Sequence, residues 1–134
     1  TSPNKQIDFI TIPTTGNSSD FGDLTNIGNN AGGACSATRM VIGGRLDPNN
    51  PIDFLTIATT GNAITFGDMT VPRSSFASMS DCVRGIFAGG DGSPAQFSEI
   101  DYVNIATTGD AVDFGDLPYD NQQTAGCSNG HGGL

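Results

Sequence analysis

Hydrophobic and polar positions follow one 18-residue pattern that occurs three times along the chain. The copies occupy residues 7–24, 52–69 and 100–117, so successive copies are offset by 45 and 48 residues. Recurrence at this period is the signature of a repeat architecture. No segment keeps apolar residues at helical spacing over three turns. The pattern therefore predicts an all-β chain built from one repeated unit.

Each unit divides into four predicted strands. The first is a segment of small residues (31–38 and 77–83), and the second is an apolar run (39–42 and 84–88). The third carries Ile-Asp-aromatic, and the fourth runs through Phe-Gly-Asp. Thr-Thr-Gly followed by Asn or Asp separates the third strand from the fourth. We expect a hairpin turn there, with a residue of positive φ.

The third strand is partly apolar on both of its faces. Over residues 52–57, alternate positions place Ile, Phe and Thr on one face and Asp, Leu and Ile on the other. A sheet with one solvated face would alternate more cleanly. The pattern predicts a neighbouring sheet on each side, as between the blades of a β-propeller. A β-solenoid would also bury both faces partly, but its coils repeat at about half this length.

The apolar second strand ends in a double glycine, Gly43-Gly44 in one copy and Gly89-Gly90 in the next. At this period the double glycine resembles the kelch repeat, whose second strand ends in the same way. The Thr-Thr-Gly and Phe-Gly-Asp phrases are similar to kelch-like arrays in structural proteins of tailed bacteriophages, notably marine ones, and in some bacterial surface proteins. The resemblance covers nearly the whole chain.

Two aromatic positions of the chain depart from the kelch pattern. The family's Tyr and Trp of the third and fourth strands are replaced by Phe54 and Phe66 in one copy and by Tyr102 and Phe114 in the next. The chain has no Trp. The resemblance thus specifies the type of repeat more closely than the task of the protein.

The resemblance implies kelch-like blades in an incomplete ring with split terminal blades, all within a single module, residues 1–134. It comprises a half-repeat (7–24), two repeats (31–69 and 77–117) and a second half-repeat (124–134). About three units are fewer than the four to eight blades of a usual ring. We expect either a fragment of a longer array or an assembly of copies. Two copies would give six blades, and an open series would give a fibre.

Charge narrows the range of partners. The chain carries 14 acidic and 5 basic residues, for a net charge of −9. Without a basic stripe to neutralise phosphates, we expect no nucleic-acid partner and no binding to anionic membranes. No run of 18 apolar residues occurs, so no membrane insertion is expected.

Cysteine occurs once per copy, at Cys35, Cys82 and Cys127. We expect small buried side chains on crowded strands. An odd number argues against a closed disulfide framework, and a single histidine without a C-x-x-C motif gives poor support for zinc. That histidine, His131, lies in a glycine-rich segment without a nucleophile motif, so a catalytic triad is not favoured.

Aspartate accounts for 13 of the 14 acidic residues. One repeated set lies in Phe-Gly-Asp and another follows the leading Ile: Asp23, Asp68 and Asp116, and Asp8, Asp53 and Asp101. Repeated Asp beside Gly is typical of carboxylates that accept backbone N–H bonds in turns. Calcium held by Asp47, Asn49 and Asn50 is the alternative, although no D-x-D-x-D-G loop occurs.

Arg39 and Arg84 each open an apolar strand, and we expect them to pair with an aspartate of a neighbouring unit. We assign no catalytic, cofactor-binding or metal-ligating residue and expect no enzymatic activity. With two tyrosines, Tyr102 and Tyr119, and no tryptophan, a lectin role is weakened, because exposed Trp and Tyr commonly stack on sugar rings.

The resemblance implies a structural or interaction module of a virion, in capsid decoration or in a tail or fibre, used for assembly or host attachment. The alternative is a secreted bacterial surface adhesin or fibre subunit, and an enzyme or lectin is less favoured. Expected partners are copies of the chain or other structural proteins, joined through open edge strands, and cell-surface glycans. The expected location is the virion or the extracellular space, and we do not expect an isolated monomer.

Overall fold

A computed structural model describes residues 5–26, 29–44, 50–92 and 95–128. The described residues contain ten strands and no helix, so the all-β prediction is confirmed. The strands are β1 (Gln6–Phe9), β2 (Ser19–Asp23), β3 (Gly32–Cys35), β4 (Arg39–Gly43), β5 (Pro51–Thr56), β6 (Ile64–Asp68), β7 (Ala77–Ser80), β8 (Arg84–Ala88), β9 (Phe97–Asn104) and β10 (Val112–Asn121).

The strands form three antiparallel sheets, none of which closes on itself. Sheet I pairs β1 with β2, sheet II has the order β3-β4-β5-β6, and sheet III has the order β7-β8-β9-β10. Neighbours in each sheet are therefore consecutive in sequence. Short strands of alternating polarity joined by tight turns produce this meander.

A β-bulge recurs where the third and fourth strands of each unit pair. Ile52 lies opposite Gly67 while Asp53 lies opposite Thr65, which leaves Phe66 as the extra residue. Sheets I and III have the same shift at Phe21 and Phe114. A bulge bends its strand and turns one residue out of the ladder. The Phe of Phe-Gly-Asp is thereby freed from regular pairing in all three sheets.

The hydrophobic core lies between sheets II and III. Its members are Ala34, Val41, Ile52, Phe66, Met69, Phe76, Phe87, Val103, Ile105 and Ala111, with Phe54 packed against them. Strand β3 contacts both β7 and β8. Residues 52–55 of β5 are buried or half-buried on both faces. The third strand of sheet II is thus enclosed by packing on each side.

The double glycine has a steric cause. Gly44 and the equivalent Gly89 adopt left-handed backbone conformations, with φ of 84° and 68°. A Cβ atom at Gly44 would overlap the ring of Phe76. Since side chains other than hydrogen disfavour positive φ, both conformation and space require glycine at Gly44.

Thr-Thr-Gly lies between the third and fourth strands as predicted, and Gly61 has a positive φ of 159°. The hydrogen-bonded turn closes before this glycine, because Thr59 N–H donates to Thr56 O at 3.4 Å. The turn closes earlier because the glycine segment packs on the preceding sheet. One local prediction is wrong. Residues 124–128 of the expected terminal half-repeat form no strand, and residues 129–134 lie outside the described residues.

Candidate interaction surfaces

Sheet II joins sheet I through the segment that precedes its fourth strand. Gly61 N–H donates to Phe21 O at 2.7 Å, and Ala63 N–H donates to Asp23 O at 2.8 Å. In return, Asp23 N–H donates to the Asn62 Oδ1 atom at 3.0 Å. The bulge described above exposes the Phe21 carbonyl for this purpose. The Thr-Thr-Gly segment therefore binds the outer edge of the preceding unit.

The junction between sheets II and III repeats these bonds. Gly109 N–H donates to Phe66 O at 2.9 Å, and Ala111 N–H donates to Asp68 O at 2.8 Å. Asp68 N–H donates to Asp110 Oδ1 at 3.0 Å. Asn62 and Asp110 occupy equivalent positions of the repeats, and each offers a side-chain oxygen as acceptor.

The glycine of Phe-Gly-Asp is required by the same junction. A Cβ atom at Gly22 would overlap the carbonyl group of Gly61, and one at Gly67 would overlap that of Gly109. The backbones of successive sheets approach too closely for a side chain. At Gly115 of sheet III, a Cβ atom would meet nothing within 4 Å.

A threonine–aspartate contact completes each junction. Thr25 donates its N–H to Asp53 Oδ2 at 2.9 Å and its hydroxyl to Asp53 Oδ1 at 2.7 Å. Thr70 donates in the same way to Asp101, at 3.3 Å from its N–H and 2.7 Å from its hydroxyl. Asp53 and Asp101 are both 0% exposed. A buried carboxylate is tolerated when donors satisfy it, and each threonine supplies two.

Arg73 adds a buried ion pair that the sequence analysis missed. Its guanidinium lies 2.9 Å from Asp101 Oδ2 and donates to Phe87 O at 3.1 Å. Arg73 is 0% exposed. The sequence did offer a clue, because Arg73 lies between apolar segments on either side of the junction. An arginine buried there needs a partner of opposite charge.

The aspartate pairing expected of Arg39 and Arg84 is wrong for Arg39. Its guanidinium donates to Ala106 O at 2.7 Å in the next sheet and lies 4.7 Å from the ring centre of Phe54. Arg84 stacks on Tyr102 at 5.2 Å. Cations over aromatic faces are favoured in this geometry. Arg39 thus joins two sheets through a backbone carbonyl.

The aromatic positions marked by the kelch comparison meet in pairs. Phe54 contacts Phe66 edge to face with ring centres 6.0 Å apart, and Tyr102 contacts Phe114 at the same distance. Phe9 and Phe21 form the equivalent pair in sheet I. Such pairs stabilise the third and fourth strands of each unit against one another.

Sheet III presents the outer face of this junction without a following unit in the described chain. Phe114 is 52% exposed, although the equivalent Phe66 is 4% exposed. Asp116 is exposed, and the space above Gly115 is open. At the opposite end, sheet I exposes Asp8, Phe9 and the apolar Ile12. Phe114 and Asp8 are thus exposed where their counterparts Phe66 and Asp53 are buried.

The cysteines are not buried as expected. Cys35 and Cys127 are exposed, and Cys82 is half-buried in the turn after β7 with a φ of 72°. By the repeat offsets, Cys35 corresponds to Ser80, whose hydroxyl accepts the Cys35 N–H at 3.3 Å. Ser80 N–H donates in turn to the Ser128 hydroxyl at 2.9 Å. Hydroxyls and not thiols therefore link the first strands.

The carboxylates of Asp23, Asp68 and Asp116 are exposed, and the turn role expected of that set stays a prediction. Asp81 does accept turn bonds, from Arg84 N–H at 2.7 Å and Val83 N–H at 3.0 Å. These backbone bonds hold the pKa of Asp81 below its usual value of 3.8. The repeated aspartates serve junctions, and a turn is closed by an aspartate outside the repeated sets.

The described residues contain no cluster of three or more His, Cys, Asp or Glu side chains. Asp47, Asn49 and His131 lie outside them, and Asn50 is buried at 4% exposure. A cleft of about 370 Å³ behind the Thr-Thr-Gly segment of sheet III is lined by Tyr102, and a smaller one of about 110 Å³ repeats it in sheet II. Of the two tyrosines considered for glycans, Tyr119 is exposed.

No protein-family model matches the chain, and a search of curated proteins finds no significant relative. The structure contains no helix, within its described ranges, that is long and apolar enough to cross a membrane. The kelch-like assignment stays a prediction.

Proposed function

We propose that the chain is a kelch-like β-propeller segment and a non-catalytic structural module of a virion, in capsid decoration or in a tail or fibre, used for assembly or host attachment. Its partners are copies of itself or other structural proteins. The similarity of the Thr-Thr-Gly and Phe-Gly-Asp phrases to phage arrays supports the virion.

The propeller assignment is supported by the stacking of the sheets. Sheets II and III are four-stranded antiparallel meanders that follow one another in sequence and pack face to face. Their first strands, β3 and β7, lie side by side. In propellers, blades of this kind place their first strands around a central axis.

One observation carries the interaction role. Equivalent backbone hydrogen bonds join sheet I to sheet II and sheet II to sheet III. Sheet III exposes the face whose counterparts in sheets I and II accept these bonds. Its exposed Phe114 and the open space at Gly115 match the buried Phe66 and the crowded Gly67. A surface that is self-complementary at two interior junctions fits another unit of the same design.

The test uses sedimentation of the whole 134-residue chain over a range of concentrations. We expect reversible association that Gly115→Ala abolishes, because the new methyl group would overlap an incoming glycine carbonyl as at Gly22 and Gly67. Gly16→Ala is the matched control. A Cβ atom at the equivalent Gly61 meets nothing within 4 Å even in a formed junction, so this variant should associate normally.

Circular dichroism of both variants should match that of the parent chain, which separates lost association from lost folding. A chain that stays monomeric at every concentration, or one whose association ignores Gly115→Ala, contradicts the proposal.

A further inference from the structure

The third unit departs from the others at one position of the junction. Phe-Gly-Asp is followed by Leu24-Thr25 in the first copy and Met69-Thr70 in the second, but by Leu117-Pro118 in the third. The two threonines each donate an N–H and a hydroxyl to a buried aspartate. Proline has neither donor. Sheet III therefore lacks the groups that satisfy a carboxylate in the next unit.

The guanidinium of the second junction is missing from the third unit as well. Arg73 pairs with Asp101, and the repeat offset of 48 residues places Asn121 at the equivalent position. The Asn121 amide already donates to Tyr119 O at 2.9 Å. Residue 118 of the third unit thus has no donor in place of Thr70, and residue 121 has no charge in place of Arg73.

Docking of sheet I on sheet III would bury a carboxylate opposite Pro118, where the threonine donors are absent. Asp8 occupies the place of Asp53 and Asp101, and it is exposed, whereas the latter two are 0% exposed. Its contact in sheet I is with the Gln6 amide at 2.9 Å. Burying a carboxylate without adequate donors is strongly unfavourable. A second copy of the chain therefore binds this face more weakly than a repeat unit without that carboxylate would.

We propose that Pro118 determines which unit follows sheet III: a repeat unit whose third strand has a residue without a carboxylate where Asp8, Asp53 and Asp101 stand. This inference rests on the proposed function, because it concerns the same docking face. Specificity of this kind comes from an unpaired charge built against the wrong partner. The threonine-bearing junctions stabilise the buried carboxylate, and the proline-bearing face binds it less well.

A double-mutant cycle on association tests the proposal, with the chain itself as the probe. The variants are Pro118→Thr, Asp8→Ala and the double variant. Pro118→Thr restores both donors, so we expect the association constant to rise about tenfold or more, as for hydrogen bonds to a charged group. Asp8→Ala removes the carboxylate and should raise it by a similar factor. In the double variant the two gains should not multiply, because each removes the same mismatch.

Asp20→Ala is the matched control for charge. Asp20 lies opposite Asp8 in the sheet I ladder, and its equivalent Thr65 stays exposed in a formed junction. This variant should associate within about twofold of the parent chain. Equal gains from Asp8→Ala and Asp20→Ala would reduce the effect to net charge and overturn the proposal.

The outcomes also separate this inference from the proposed function. Association that is blocked by Gly115→Ala but unchanged by Pro118→Thr overturns the role of Pro118 and leaves the docking face intact. A Pro118→Thr gain that persists undiminished in the Asp8→Ala chain likewise overturns it. A chain that is monomeric in all of these variants removes the docking face, and with it both proposals.

Discussion

The same three residues, Ile-Asp-Phe, are more exposed in the first unit than in the second. Ile52 and Asp53 are 0% exposed, whereas Asp8 is exposed and Phe9 is 42% exposed. Both segments form strands with the same bulge. Thr25 of the preceding sheet covers Asp53, and Ile52 lies in the core between sheets II and III, whereas no sheet precedes sheet I in the described chain. Burial in this molecule is thus a property of the junction and not of the segment.

This comparison also indicates which contacts supply the free energy of folding. Full burial of an Ile or Phe side chain contributes about 1.5–3 kcal/mol. The core between sheets II and III collects side chains from both. Each unit therefore gains its stability from neighbours, as expected of repeat architectures whose units cannot bury their own apolar faces.

The largest expected effect comes from truncating the two equivalent isoleucines. Ile52→Ala should lower the free energy of unfolding by about 2–5 kcal/mol, because it opens a cavity in the core. Ile7→Ala, in a half-buried position, should cost less than half as much. Urea unfolding of both variants measures the difference. Equal losses would show that sheet I is packed as fully as sheet II and would break the comparison.

The two equivalent aspartates sharpen the comparison for polar groups. Asp53→Asn should lower the free energy of unfolding by about 1.5–3 kcal/mol, because Thr25 donates both of its groups to that charged carboxylate. Asp8→Asn removes the same charge at an exposed site and should change stability by less than about 0.5 kcal/mol. Urea unfolding at neutral pH again provides the measurement. A large loss in the Asp8 variant would mean that sheet I is covered.

Much of the fold was predictable because three aligned copies of one pattern make each strand assignment more certain than a single copy would. Short apolar runs alone leave strand and helix ambiguous, but three aligned copies with a shared double glycine and Phe-Gly-Asp resolve the strands. Gly44 and Gly89 then mark where each second strand ends.

The junction contacts were not predictable in the same way. Thr25 meets Asp53 across 28 residues, and Thr70 meets Asp101 across 31, so neither pair belongs to one unit. Repeats show which residues recur but not which copies they bind. The same limit applies to Gly61, because its N–H donates to the carbonyl of Phe21 in another sheet.

The smallest expected effect separates backbone conformation from inter-sheet contact. Gly22 and Gly115 have similar φ values of 150° and 141°, so alanine strains both, but only Gly22 faces the carbonyl of Gly61. At concentrations where the chain is monomeric, Gly22→Ala should loosen sheet I from sheet II by about 1–2 kcal/mol more than the strain alone. Amide hydrogen exchange at Gly61 and Ala63, which donate to sheet I, should then accelerate about tenfold for each 1.4 kcal/mol lost. Gly115→Ala should leave those two amides unchanged. Equal acceleration in both variants would assign the effect to backbone strain and remove the glycine's role in the junction.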